Sequence, residues 1–344
     1  MRCSLPNWDL FEGSNDRPSI RINGVPDGTR IVVVSDAQVP MEDRELLSAI
    51  FDDFVPAFKP AGKAQYHLFL NGDILDNFTL STFLARVTPK FTLGDEVDMV
   101  KAYLAQWGKL FTHKHYVMGN HEDRWEKAIY FGNPQFARFT VPLHDALDLA
   151  NLGYDWVPYL KHYDFEGFII THGDIATKYT ASKMLENYHA SGVSGHANRP
   201  QSYTWADAAK GEATTWYVQG MTCRQNIGDI IKDWRKIQPW QQGFLIGEVQ
   251  DGILHVELVR VHHGSFRAAG KVYRIGNSSG GPSGRVPRAA GKREDQHRQG
   301  PSGDDSGGKG VVRRRPEAGR GIDVVGPARV NGKQPARRNE RRHD

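Results

Sequence analysis

Residues 66–78 read YHLFLNGDILDNF, and this stretch decides the fold. Its first five residues form an apolar run short enough to be a buried strand, and the polar cluster Gly72-Asp73-Ile74-Leu75-Asp76 begins where the strand gives out. Upstream, residues 31–35 (IVVVS) read as a second buried strand, and Leu46, Leu47, Ile50, Phe51 and Phe54 fall at helical spacing until Pro56 stops them. Strand, helix, strand predicts a parallel βαβ unit. Downstream, Val97, Val100, Tyr103, Leu104, Trp107 and Leu110 mark a second amphipathic helix, followed by a strand at 115–118. Further strands are expected at 168–171, 191–194, 214–218, 244–249 and 253–261. The last two alternate apolar and polar residues around Gly252, as a hairpin with one solvated face does. Parallel units early and antiparallel strands late give an α/β chain with mixed sheets.

The 344 residues, 39% of them hydrophobic, supply a sizeable core and exclude a fully disordered chain. Charge is divided unevenly. Residues 271–344 carry 18 Lys/Arg against 8 Asp/Glu, which leaves 26 against 32 in residues 1–270. The folded part is thus mildly acidic, which suits metal-binding carboxylates better than a surface built to coat nucleic acid. The last 74 residues are rich in Gly and Arg and hold one aromatic, Tyr273, too little apolar surface to offset ordering entropy. The expected organisation is one domain over 1–270 and a disordered basic tail over 271–344. The opening MRCSLPNWDLF lacks the apolar run of a secretion signal, and no window approaches the roughly 18 apolar residues of a membrane span. Two cysteines, Cys3 and Cys223, make no disulfide framework and no zinc knuckle, so a reducing, cytoplasmic setting is expected.

Almost every expected strand ends in a cluster of Asp, His and Asn, the place where α/β sheets collect ligands. In order these are Asp36-Ala37-Gln38, Gly72 to Asp76, Gly119-Asn120-His121-Glu122, Thr171-His172-Gly173-Asp174 and Gly195-His196-Ala197-Asn198-Arg199. Residues two apart on an extended segment point to one side, so Asp36 with Gln38, and His196 with Asn198, have the spacing to chelate one ion. Read singly, each polar residue is equally well a strand-end group or a helix N-cap. All five clusters in this order are not.

The order D-x-Q, GDxxD, GNHE, H, GHxN resembles the calcineurin-like metallophosphoesterase family, whose pattern is D-x-H, GDxxD, GNH(E/D), H, GHxH. The resemblance implies two mixed β-sheets face to face with helices outside, a four-layer αββα sandwich covering most of 30–261. It implies metal-dependent hydrolysis of a phosphate ester, with Asp73 bridging two divalent cations. Asp36 would belong to the first site, and Asn120, His172 and His196 to the second. A water or hydroxide held by the metals would attack phosphorus in line. His121 would bind the phosphate and protonate the leaving oxygen, with Asp76 fixing its other nitrogen. Asp76 also reads as a helix N-cap.

Two departures from the pattern fall on one site. Gln38 and Asn198 stand where the family has histidines, giving a first site of Asp36, Gln38, Asp73 and Asn198, all oxygen donors. Oxygen donors favour Mn²⁺ first, then Mg²⁺ or Ca²⁺, while the site with two histidines also admits Zn²⁺ or Fe. The bland alternative is a decayed first site. Asp76 and Asn77-Phe78 exclude the purple acid phosphatase and protein phosphatase branches, leaving phosphodiesterases, nucleotide-directed enzymes and nuclease-like members. Arg199 is placed to reach a substrate phosphate. Nucleic acid stays open as a partner through the tail and the aromatic, basic stretch 203–240 (Tyr203, Trp205, Trp216, Tyr217, Trp234, Trp240). The alternative function is a catalytically weak, metal-bearing nucleic-acid-binding protein, and ordinary packing of those rings between the sheets is the alternative for the stretch.

Overall fold

Ile31, Val32, Val33 and Val34 are all fully buried, because strand β2 (Arg30–Val34) has a sheet neighbour on each side and a packed layer on each face. The computed structural model describes residues 17–81, 90–132, 139–207, 211–225 and 240–276. On one side β2 pairs in parallel with β3 (Tyr66–Asn71), which continues to β4 (His113–Val117) and β5 (Asp155–Val157). On the other it pairs antiparallel with β11 (Gly243–Gln250), followed by β12 (Ile253–His262), β13 (Ser265–Ala268) and β14 (Lys271–Arg274). These eight strands form one sheet. The second has six, in the order β1 (Ile20–Ile22), β6 (His162–Phe165), β7 (Phe168–Thr171), β8 (Gly192–Ser194), β10 (Glu212–Val218) and β9 (Gln201–Asp207).

The period of two along each strand divides the core. Ile31, Val33, Phe69, Val117 and Val157 face the second sheet and pack with Tyr163, Phe165, Ile170 and Val193. Val32, Val34, Leu68, Leu70 and Tyr116 face outward and are covered by helices α1 (Arg44–Ser48), α2 (Val55–Ala57), α3 (Leu93–Trp107) and α5 (Leu143–Ala146). On the far side, α6 (Thr180–Tyr188) places Met184 and Leu185 against Ile169, Trp216 and Val218. Helix, sheet, sheet, helix is the four-layer arrangement expected from the motifs.

Helical backbone runs past Pro56 to Ala57 rather than stopping at it. A π-helical segment, Ala49–Phe54, precedes the proline, and the wider turn has already left the i→i−4 ladder that the missing N–H would interrupt. α3 begins at a capping box, Thr92 with Asp95, and stacks Trp107 on Phe51 at 4.3 Å. β14 lies just beyond the boundary read at 270 and sets Tyr273 against Phe54 and Phe266. The tail from 277 lies outside the described residues.

What positions the site is the continuation of strand pairing into the loops. Beyond β2 and β3, Asp36 N–H donates to the Gly72 carbonyl at 3.0 Å, Gln38 N–H to Asp73 at 2.9 Å and Val39 N–H to Ile74 at 2.8 Å. The loop after β4 is tied to them by Glu122, on the first turn of α4 (Asn120–Gly132). One carboxylate oxygen accepts from Asp73 N and Gly119 N, both at 2.9 Å; the other accepts from Ile74 N at 2.9 Å, Leu75 N at 3.2 Å and the Tyr116 hydroxyl at 2.8 Å. All five are donors, so only an acceptor on both arms satisfies them. Glu122→Gln turns an amide N–H₂ toward two or more of these donors, and urea unfolding is expected to show a loss of about 1–3 kcal/mol. A wild-type midpoint and slope would show that the network is not needed.

Candidate metal centre

The loops after β2, β3, β4, β7 and β8 all emerge at the carboxyl ends of their strands and meet there. Tight turning is visible in the backbone: Asp36, Gln38, Asp73, His196 and Asn198 all have φ between 49° and 62°. Non-glycine residues take this left-handed conformation only when their surroundings hold them in it. Two glycines make room. A Cβ on Gly119 would strike the Asp73 carboxylate and backbone, and one on Gly195 would strike the Ser35 hydroxyl and lie 2.7 Å from Asp36 Oδ2. Neither space admits a side chain.

Asp73, His172 and His196 present ligand atoms that all lie within 4.8 Å of one another. His172 Nε2 is 3.3 Å from Asp73 Oδ2 and 3.1 Å from Asn120 Oδ1, while its Nδ1–H donates to the Asn71 carbonyl at 2.8 Å. That second bond fixes the ring and points Nε2 at the two oxygens, as the outer partner of a metal-binding histidine does. An imidazole nitrogen, an amide oxygen and a carboxylate oxygen converge on one space.

The oxygen-only group lies alongside. Asp36 is fully buried, with Oδ2 accepting from the Ser35 hydroxyl and from His196 N at 3.2 Å. Among the described residues its Oδ1 has no hydrogen-bond partner, and neither has the buried Oδ1 of Asn198. Buried acceptors without donors are costly, and a cation is what would satisfy both together. Gln38 is also buried, its backbone bonded to Asp73. The buried Asn198 Oδ1 is an oxygen that a hard cation would take, while Gln38 is fixed by its burial and its backbone pairing alone.

Electrostatics point the same way. Burial, together with the neighbouring Asp73 charge, pushes the Asp36 carboxyl up to about 7 despite the opposing pull of His172. Burial opposes charge on His172 as well, but Asp73 and Asp36 outweigh it and raise the imidazole to about 10. For Asp73 burial is again outweighed, here by His121 and His172, and its carboxyl falls below the ordinary range. Burial and His172 lower His196 to about 4, leaving a neutral ring with a free lone pair. Both raised values reflect the same cause, carboxylates gathered out of water with too little positive charge beside them.

His121 stands beside this group and not in it. Its Nδ1 is 2.8 Å from Asp76 Oδ1, and its Nε2 is 3.6 Å from Asp73 Oδ2. Burial lowers its proton affinity, and the carboxylates of Asp73 and Asp76 more than restore it, so the pKa is raised. Asp76 is thus seen as the partner of His121. Arg124, absent from the sequence reading, donates to the Asp76 carbonyl at 2.9 Å and approaches His121 Nε2 at 3.0 Å. The signal was present: 121 and 124 are one helical turn apart. Glu122 was quoted only as part of a motif, and its five bonds come from residues spread over 73–119.

Arg199 is half-buried, its Nε donating to the Ala197 carbonyl at 3.4 Å. The aromatic stretch divides. Trp216 is fully buried and stacks on Tyr188 at 4.9 Å, whereas Tyr203 and Trp205 are 42% and 53% exposed. Trp234, with Lys232, Arg235 and Lys236, lies outside the described residues. Among the described residues no helix is long and apolar enough to cross a membrane.

The chain is 24% identical over 261 residues to the Gene 54 protein of Mycobacterium phage D29, an alignment covering 72% of this chain and 99% of that one. It is 23% identical over 269 residues to the Gene 54 protein of Mycobacterium phage L5, again over 72% and 99%. Vacuolar Protein Sorting 29 from Cryptosporidium parvum aligns over 69% of this chain and 99% of its own, with 12% identity and a TM-score of 0.34, too distant to bear on function. The family described as calcineurin-like phosphoesterase matches residues 29–219, a span holding every candidate ligand named above. That span is more than half of the sequence, and the protein belongs to the calcineurin-like phosphoesterase family, whose members in general carry out metal-dependent hydrolysis of phosphate esters.

Proposed function

We propose that this protein hydrolyses a phosphate ester, a phosphodiester or phosphomonoester that includes nucleotides and nucleic acid, and that His121 is its general acid. The observation that carries the reading is the His121–Asp76 contact at 2.8 Å beside a donor set that includes Asp73. A protein that only held metal and nucleic acid would have no use for an imidazole oriented there by a carboxylate. In this reading Asp36, Gln38, Asp73 and Asn198 hold one cation, and Asp73, Asn120, His172 and His196 hold the other. Mn²⁺ is the expected ion at the oxygen-only site, with Zn²⁺ or Fe admitted where two imidazoles bind. When bound, two such cations supply Lewis acidity to the phosphoryl group and make water nucleophilic near neutral pH.

The chain's own groups do the rest. Asp76 takes the Nδ1–H of His121, which leaves Nε2 as the atom that delivers a proton. The carboxylates of Asp73 and Asp76 favour the protonated ring and raise its pKa, against burial and the nearby Arg124 charge. Arg124 Nη2, which can only donate, lies 3.0 Å from Nε2 and so meets its lone pair; a phosphate oxygen that drew the guanidinium away would free Nε2 to carry the proton for the departing oxygen. The two cysteines, one of them the buried Cys223, fit a reducing, cytoplasmic setting.

Asp73→Asn is expected to abolish hydrolysis of an aryl phosphodiester and to strip both ions, since one carboxylate serves two sites. Turnover that survives exhaustive chelation of the wild type would sink this reading. Substituting His121 by Ala should lower kcat about 10² to 10⁴-fold with metal content nearly unchanged. Loss of metal in that variant would identify the residue as a ligand instead. Restoring histidine at Gln38 and Asn198 should move the first site from Mn²⁺ toward Zn²⁺, with the pair shifting preference by other than the sum of the singles. Metal competition on the four proteins of this cycle reads it directly, and an unchanged preference throughout would mean that neither amide touches the ion.

A further inference from the structure

Next to the metal cluster the surface opens into a groove of about 650 Å³ that the chemistry described so far does not use. Its walls carry three cations, Lys178, Arg199 and Arg260, and two rings, Tyr179 and Tyr203; none of its lining residues is a carboxylate. Lys178 and Arg260 are exposed, and among the described residues none of the three cations is ion-paired. Lys178 Nζ lies over one face of the exposed Tyr179 ring, 5.3 Å from its centre, so the charge and the ring form one cation–π unit on the groove wall.

The groove is anchored to the site. Arg199 directly follows Asn198, and the Asn198 carbonyl accepts from Gln241 N, another lining residue, at 2.9 Å. Along the opposite wall runs β9, the edge strand of its sheet, with residues 202–206 all exposed. Tyr203 and Trp205 are two apart on it and so project from the same face, spaced along the strand. Tyr179 is 62% exposed, so Tyr179 and Tyr203 in the groove and Trp205 beside it all stand open to a stacking partner. Positive charges that follow a backbone, with rings spaced for successive bases, are the features that bind a single strand without reading its sequence.

We propose that this groove binds single-stranded nucleic acid on one side of the scissile phosphate, with Lys178, Arg199 and Arg260 on backbone phosphates and Tyr179, Tyr203 and Trp205 beneath bases. The proposal narrows the substrate of the reading above to a nucleic-acid phosphodiester and rests on that reading only for its link to hydrolysis.

The test is binding of a fluorescein-labelled dT12 strand by the full chain in excess chelator, where no turnover occurs. Lys178→Ala with Arg260→Ala should weaken binding about tenfold and lower the slope of log affinity against log salt by about 1.4, two contacts at about 0.7 each. Tyr203→Ala should also weaken binding about tenfold while leaving that slope unchanged, because stacking releases no counterions. These side chains are exposed, and thermal melts confirm that each variant is folded. Wild-type affinity and slope in the variants would place binding elsewhere, for example on the basic tail, and overturn the proposal. Displacement by polyglutamate as readily as by unlabelled dT12 would reveal a general polyanion surface and overturn it too. Absence of hydrolysis with every metal would instead defeat the catalytic reading and leave the binding result standing.

Discussion

Glu122 accepts five hydrogen bonds with one carboxylate, and the rest of the site hangs from it. Three of those donors are the consecutive backbone amides of residues 73–75, which no strand partner satisfies, and a fourth is Gly119, where β4 passes into α4. A carboxylate is the compact group able to serve so many donors at once, and each bond to a charged acceptor contributes more than a neutral one. It binds the second and third motif loops into one unit. His121 N then donates to Asp73 Oδ1 at 2.9 Å, closing the same unit from the other side. Asp73 thereby owes its position to main-chain and second-layer contacts before any ion arrives.

This rigidity answers a conflict. Asp36, Asp73, His172 and His196 are gathered in a buried volume where like charges repel and desolvation penalises every ionised form. Left-handed backbone at five of the site's non-glycine residues adds a further cost, on the order of 1–3 kcal/mol each. Such a cluster relaxes unless its loops are tied down. Strand pairing carried past β2 and β3, the Glu122 network and the Cβ-free gaps at Gly119 and Gly195 supply the restraint.

The sequence made some of this plain and left some of it hidden, for physical reasons. Runs such as 31–35 and 66–70 announce central strands because both faces are buried, so nearly every residue is apolar, Ser35 and His67 being the exceptions. The chemistry-bearing loops were legible because α/β topology sends ligands to strand ends, and the order of five clusters is hard to produce otherwise. β5 and β6 passed unnoticed: DWV and HYDF are short, polar and only half covered. β9 escaped although Ser202, Tyr203, Thr204 and Trp205 alternate, because residues 202–206 are all exposed and the rings read equally well as a binding stretch with the basic residues that follow. Glu122 and Arg124 were missed for another reason, since their partners are distant in the chain and only the folded loops bring them together.

Gly119 and Gly195 differ from the residues they shelter in what a change of gene sequence can do to them. At Gly195 even a methyl group collides with Ser35 and Asp36, so the cavity's shape admits no gradual alteration there. Gln38 and Asn198 bear the opposite character, since an amide and an imidazole both offer a donor from the same loop. If these two amides hold an ion as proposed, inheritance can retune which element of the periodic table the pocket selects, one codon at a time, while the vessel that holds it stays fixed. Divergence within such a lineage would surface first as altered metal economy, long before any change in architecture.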